Sequence, residues 1–410
     1  MSLTFPNGFL WGTATAAHQV EGNNTNSESW VLEHTPGTIY KEPSGDACDH
    51  YHRYPEDIAL LASLGFNTYR FSLEWARIEP EEGHFSKAAL DHYRKMLETC
   101  FQHNITPIVT FHHFTSPRWL MPKGAWENIE TAQRFAIYCE QVTKHLGDLI
   151  PIACTLNEPN LGLLISQFGM SVDNLRKAPW WQEAAKRLNT PPEILAPFQY
   201  LSSSQSTETF LAAHKQGQAA IKSIRSDIQV GLTLAIQDIQ AGPGGETVAA
   251  QKRQEINGVF LDALRGDDFV GVQTYSRMRF GPNGPLAAED GVPVTAMGYE
   301  FYPEALENTI RYATEKTGCP IIVTENGLGS PNDVDRIEYI RRALNGVANC
   351  LKDGISVRGY TYWSAFDNFE WSMGYGPTFG LIAVNRQTQE RSIKESAKYL
   401  GDIAKRNGLE

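Results

Sequence analysis

Short apolar runs alternate with longer amphipathic stretches along almost the whole chain. Phe9 to Ala17 predicts a first short strand, Asn67 to Leu73 a second, Thr106 to Phe111 a third and Pro151 to Pro159 a fourth. Between them, Tyr54 to Leu64, Ser86 to His103 and Asn128 to Leu146 carry apolar residues at helical spacing. In the second of these, Ala89, Leu90, Tyr93, Met96 and Leu97 form the stripe and Ser86 caps its start, while Gly65 stops the first. The rhythm continues with strands at Gln229 to Ile236, Phe269 to Thr274, Ile321 to Glu325 and Val357 to Trp363. Helices are predicted over Thr207 to Arg225, Gln251 to Leu264, Tyr302 to Thr317, Asp333 to Leu351 and Ser392 to Lys405.

Strand-helix alternation predicts a parallel sheet with helical crossovers. Eight strands and eight helices make this an α/β chain folded as a (β/α)8 TIM barrel, one catalytic domain over residues 1–410. A doubly wound sheet would usually have fewer strands, and no Gly-x-Gly-x-x-Gly follows the first strand. Two inserts break the rhythm. Leu161 to Ser206 is rich in Pro and Trp, and Phe280 to Tyr299 is rich in Gly and Pro. Both leave the carboxyl-terminal ends of strands, where such barrels build their sites, so they are expected to be substrate-side loops.

Composition narrows the function. With 36 basic and 47 acidic residues the formal charge is −11 and no basic cluster stands out, which argues against a nucleic-acid partner. Cys48, Cys100, Cys139, Cys154, Cys319 and Cys350 are scattered, with no Cys-x-x-Cys pair to suggest a zinc or thiol-redox site. No apolar run approaches the roughly 20 residues of a membrane span. The first residues lack the cationic-then-apolar pattern of a signal peptide, so a cytoplasmic location is expected.

The candidate chemistry sits at two strand ends. Ile321-Ile322-Val323-Thr324 reads as a strand buried on both faces, and Asn326-Gly327 ends it, because both residues tolerate the positive φ of a tight turn. Glu325 is left as the last strand residue. A glutamate there is ordinarily a solvated end or half of an ion pair, but Pro151 to Pro159 repeats the design and ends in Glu158. Two carboxylates on strands four and seven, facing each other across a barrel mouth, suit glycoside hydrolysis. A separation of roughly 5 Å implies a nucleophile and roughly 6.5–9.5 Å an activated water; the spacing along the chain leaves both open.

Five stretches then carry a specific resemblance. They are Phe9 to Gly22 (with Trp11-Gly12-Thr13-Ala14 and His18-Gln19-Val20-Glu21-Gly22), Arg70-Phe71-Ser72, Leu156-Asn157-Glu158-Pro159, Thr324-Glu325-Asn326-Gly327, and Trp363 to Trp371. Together and in this order they resemble family 1 glycoside hydrolases from about residue 5 to residue 400. The resemblance implies retaining hydrolysis of a small-molecule β-glycoside, with no metal and no organic cofactor. It makes Glu325 the nucleophile and Glu158 the general acid/base, with Arg70 and Tyr275 supporting the nucleophile. It places Gln19, His113, Asn157, Trp363, Glu370, Trp371 and Phe379 around the sugar, Asn157 at the 2-hydroxyl. Of the pair His112-His113 only one can point inward from a regular strand, and His112, His50 and His52 read as structural or surface residues. Pro159 is expected to hold Glu158 extended.

The chain departs from the family in places. Gln273-Thr274-Tyr275 stands for Asn-Tyr-Tyr, Phe114 for a Trp, Thr378 for an Arg, and a Trp near Tyr299 is missing. The phosphate-binding Ser and Lys of phosphoglycosidases are absent, and Glu158 is not the Gln of plant thioglucosidases. The expected activity is therefore a β-glucosidase acting on small aryl or alkyl, including phenolic, β-glucosides. Phe168, Met170, Trp180 and Trp181 are expected to line an apolar aglycone cleft. The rivals are a transglycosidase that passes glucose to an alcohol and a non-catalytic sugar-binding barrel. Nothing in the residues separates gluco, galacto and fuco sugars, or a monomer from a homo-oligomer.

Overall fold

The computed structural model describes residues 3–409. Eight parallel strands close into a barrel: β1 (Leu10–Ala14), β2 (Thr68–Ser72), β3 (Thr106–His112), β4 (Ile152–Asn157), β5 (Gln229–Ala235), β6 (Phe269–Gln273), β7 (Ile321–Glu325) and β8 (Val357–Trp363). Each pairs with the next, and β8 closes on β1 with Trp11 opposite Tyr360. The crossovers are α1 (His50–Leu64), α2 (Lys87–Gln102), α3 (Glu130–Leu146), α4 (Ser204–Ile224), α5 (Glu246–Arg253, continued through a π turn at Gln254–Gly258 into Val259–Ala263), α6 (Ala305–Thr317) and α7 (Asp333–Lys352). α8 (Glu395–Arg406) follows β8, and a short pairing of Leu3–Thr4 with Gly408–Leu409 joins the two ends of the described chain.

Local chemistry explains most boundaries. The Ser86 hydroxyl accepts from the Ala89 N–H at 3.2 Å and starts α2, whose stripe from Ala89 to Cys100 is buried. Gly65 ends α1 at φ +105°, a conformation that costs glycine little. α1 begins at His50, earlier than Tyr54, and carries Pro55 inside it. Its first turn is held by Asp49, which accepts from the His52 and Arg53 side chains, and by a buried His50–Asp57 contact of 2.8 Å. The last helix starts at Glu395 because Arg391–Ile393 is instead a strand paired with Ile382–Val384.

Both inserts contain regular elements. The first folds into short helices Leu161–Ser166, Val172–Leu175 and Pro179–Arg187, and its last residues already belong to α4. The second begins in a hairpin of Arg277–Gly281 and Gly284–Pro285, which pairs with Asp238–Ala241 in a three-stranded sheet beside the barrel mouth. Inside the barrel, Ile108, Ile152, Cys154, Phe269 and Ile322 pack on Leu10 as an apolar plug. This plug fills the barrel interior beneath the cavity at the carboxyl ends of the strands.

Candidate active site

The strand ends bring the two carboxylates to one cavity of about 360 Å³. Glu325 closes β7, and Arg70, from the middle of β2, reaches it through the barrel: Nη1 lies 2.5 Å from Oε1. The Tyr275 hydroxyl donates to the other oxygen at 2.6 Å. Arg70 is itself aimed by its Nε–H to the Thr110 hydroxyl at 3.1 Å and by Nη2 to Asn157 Oδ1 at 2.6 Å. The guanidinium thus spends its donors on four different groups, counting the Thr324 carbonyl at 3.3 Å.

Glu158 follows β4 directly. Its backbone is not extended as expected: φ is +47°, and its N–H donates to the Thr233 carbonyl at 2.9 Å. The parallel register between β4 and β5 shifts between Cys154 and Asn157, and this irregularity, rather than Pro159, sets where Glu158 points. Its carboxyl makes no hydrogen bond among the described residues. The turn after Glu325 also differs from expectation, since neither Asn326 nor Gly327 takes a positive φ. Asn326 instead donates to the Thr274 carbonyl at 2.6 Å and accepts from Tyr360 at 2.8 Å. Gly327 is required by close approach, because a Cβ there would lie 1.9 Å from the Trp363 carbonyl.

Burial raises the Glu158 pKa well above the usual carboxylate range, and the charge of Glu325 raises it further, against the opposing Arg70. Burial also lifts Glu325, but there Arg70 and Tyr275 both favour the charged form. The first proton taken up by the pair therefore belongs on Glu158, and the charge stays on Glu325. Burial and the nearby Arg70 push His113 down, so its imidazole is neutral.

Gln19, His113, Asn157, Trp363, Glu370, Trp371 and Phe379 all line this cavity, as do Glu158, Glu325 and Tyr275. Gln19 gives its Nε2 to the Asn368 side chain (3.1 Å) and the Phe369 carbonyl (2.7 Å), which leaves its buried Oε1 without a partner. His113 stacks on Trp363 at 17° between planes, and its Nδ1 is likewise buried and unpartnered. The Trp363 indole N–H meets Glu370 Oε1 at 3.3 Å. These unpaired donors and acceptors, set between flat apolar rings, suit a polyhydroxylated ring. His112 turns the other way, onto the Ser116 hydroxyl at 3.0 Å and the Trp126 ring.

The apolar half of the cavity corrects the expected aglycone residues. Phe168 lines it and is 63% exposed at the rim. Trp180 and Trp181 are buried in the core, and the Trp181 indole donates to the Pro192 carbonyl at 2.9 Å. Pro179 starts a helix at this point, and helical geometry turns both rings inward. Met170 packs on the core and does not line the cavity. Leu161, Leu164 and Ile165, on the helix just after Glu158, form the wall instead, opposite Met278 and Met297. The signal for this wall in the sequence is the aliphatic run Leu161 to Ile165, outside the expected set of Phe168, Met170, Trp180 and Trp181. Among the described residues, no group of three or more His, Cys, Asp or Glu side chains is arranged to hold a metal ion. No helix among the described residues is long and apolar enough to cross a membrane.

The sequence profile of glycosyl hydrolase family 1 matches residues 1–272 and 272–409. Beta-glucosidase A of Acetivibrio thermocellus is 30% identical, with 99% of each chain covered. A solved β-glycosidase is 60% identical with a TM-score of 0.96, covering 98% of this chain and 97% of its own. The β-glucosidase of Thermotoga maritima in complex with glucoimidazole is 28% identical with a TM-score of 0.87, covering 99% of this chain and all (100%) of its own. The chain belongs to glycosyl hydrolase family 1 and is an O-glycoside hydrolase.

Proposed function

We propose that this enzyme is a retaining β-glucosidase for small aryl and alkyl β-glucosides. The observation that carries the reading is the asymmetry of the two carboxyls. Glu325 is clamped by Arg70 and Tyr275, whereas Glu158 has no hydrogen bond among the described residues and a raised pKa. An ionised, fixed carboxylate is a nucleophile, and a protonated, unengaged one is an acid. Glu325 attacks the anomeric carbon as the glycosidic C–O bond breaks, and the Glu158 proton passes to the leaving oxygen. Glycosylation removes the charge of Glu325, so Glu158 becomes a stronger acid. Now ionised, it takes a proton from the water that cleaves the glycosyl ester.

Gln19 and Glu370 are placed to bind adjacent hydroxyls, Asn157 the 2-hydroxyl, and Trp363 and Trp371 the apolar faces of the sugar, beside His113 and Phe379. The wall from Leu161 to Phe168 offers a leaving group apolar surface and few hydrogen bonds, which favours an aryl or alkyl aglycone over a second sugar. The same wall favours alcohol acceptors over water in the second step, a transglycosylation measurable by product analysis with added alcohols. All eight strands close one barrel, which supports a single catalytic domain over residues 1–410. Six buried, unpaired cysteines support a reducing, cytoplasmic setting. A fluorinated glucosyl inhibitor that traps the glycosyl ester, followed by mass mapping, tests the core of the reading. Label is expected on Glu325, and label on any other residue overturns it.

A further inference from the structure

Arg70 orients an amide as well as a carboxylate. A guanidinium only donates, so the Asn157 atom that lies 2.6 Å from Nη2 is the amide oxygen. Gln273 reaches that same oxygen at 3.0 Å, which identifies its own approaching atom as Nε2. Two donors thus occupy Asn157 Oδ1, and Nδ2 is turned to His113 Nε2 at 3.2 Å. Gln273 is the last residue of β6, is fully buried and does not line the cavity. Its amide also favours the charged form of Glu325, while its Oε1 has no partner. An orphaned buried acceptor is a cost that an apolar side chain of the same size would avoid. The donor on the other side of the amide is what offsets it. Gln273 stands where the resemblance would place an asparagine.

We propose that Gln273 is a positioning residue: it holds the Asn157 amide oxygen beside the Arg70 guanidinium, so that Asn157 Nδ2 is presented to the sugar 2-hydroxyl. The proposal rests on the assignments of Glu325 and Asn157 made above. Without the Gln273 donor, the Asn157 oxygen keeps one donor in place of two, and the amide is held less firmly about its side-chain axis. The damage then falls on substrates that have a 2-hydroxyl to bind.

The test compares Gln273→Leu and Gln273→Asn with the parent on a nitrophenyl β-glucoside and its 2-deoxy analogue. For Gln273→Leu, kcat/KM is expected to fall about tenfold or more on the glucoside, the worth of one buried hydrogen bond. The fall on the 2-deoxy substrate is expected to be several times smaller. Gln273→Asn keeps a donor and should recover much of the lost activity. Both substrates are assayed on one preparation, so partial unfolding lowers them equally and leaves their ratio unchanged. An equal fall on both substrates, or no fall on either, overturns the positioning role and leaves the catalytic reading standing. A parent that does not distinguish the two substrates, or an inhibitor label away from Glu325, removes the reading beneath it.

Discussion

Arg70 Nη1 lies 2.5 Å from Glu325 Oε1 while Nη2 of the same guanidinium lies 2.6 Å from Asn157 Oδ1, so one buried cation aligns a carboxylate and an amide from two other strands. Breaking such a pair from one side leaves a buried charge worth about 3–5 kcal/mol. For Arg70→Met, Glu325 is expected to avoid that cost by taking up a proton, and kcat/KM to fall at least about a hundredfold. Arg70→Lys should recover little, since one ammonium cannot span both partners. A Met variant within threefold of the parent in steady-state kinetics would contradict this.

With Glu158 as the proposed acid, its removal should matter in proportion to how poorly the aglycone leaves. For Glu158→Ala a loss of about 10²–10⁴-fold is expected on alkyl glucosides and a much smaller one on dinitrophenyl glucosides. The raised Glu158 pKa keeps the acid form present above the usual carboxylate range, and parent activity falls as pH rises through it. That alkaline limb should vanish in the variant. Equal losses across a leaving-group series would remove the assignment.

Stability is expected to carry its own pH dependence through Glu28. Burial raises its pKa from 4.5 to about 8, assisted by Glu74 and opposed by the Ser116 N–H, which donates to Oε2 at 2.7 Å. Glu74, also buried, is raised to about 7. A carboxyl raised on folding binds more protons in the native state, so its share of stability is complete below about 4.5 and declines as pH rises toward about 8. Glu28→Gln cannot ionise and keeps an acceptor for Ser116. Its Tm should match the parent near pH 5 and exceed it near pH 9; a parallel pair of Tm curves would refute the link.

Phe168 and Trp181 separate selectivity from stability. Phe168, at the cavity rim, should raise KM for aryl glucosides when changed to Ser, with kcat and Tm held. Trp181→Ala removes a fully buried ring and should cost about 3–5 kcal/mol in denaturant unfolding. The aryl-to-alkyl preference of the folded fraction should not move. If it does, the ring bears on the cleft after all.

Gly327 tests the turn behind Glu325. A methyl group there meets the Trp363 carbonyl, so β7 and β8 must separate at their carboxyl ends. Gly327→Ala is expected to lower both Tm and kcat, whereas Ala at Gly354, a loop glycine with open space around it, should cost only the strain of its φ of +82°. Comparable effects from the two changes would show that close approach is not what matters at Gly327.

The sequence by itself determined the barrel and both strands that carry the paired carboxyls to the cavity. Apolar runs such as Ile321 to Val323 and the stripe from Ala89 to Cys100 are local patterns, and local periodicity is enough to separate a strand buried on both faces from a helix buried on one. Glu325 as a strand end was legible for that reason, and the ordered motifs brought in Arg70, Tyr275 and the sugar-side residues. Only the tertiary structure decided where loop side chains point. Glu158 takes a left-handed backbone because β5 captures its N–H, a partner far along the chain. Trp180 and Trp181 turn to the core because burying two large rings outweighs exposing them, and the aliphatic Leu161–Ile165 turn takes the cleft. Gln273, visible in sequence only as a departure from an asparagine, gained a role once Arg70 fixed the amide it touches. Direction at a strand end is set by neighbours on other strands, and no window along the chain contains them.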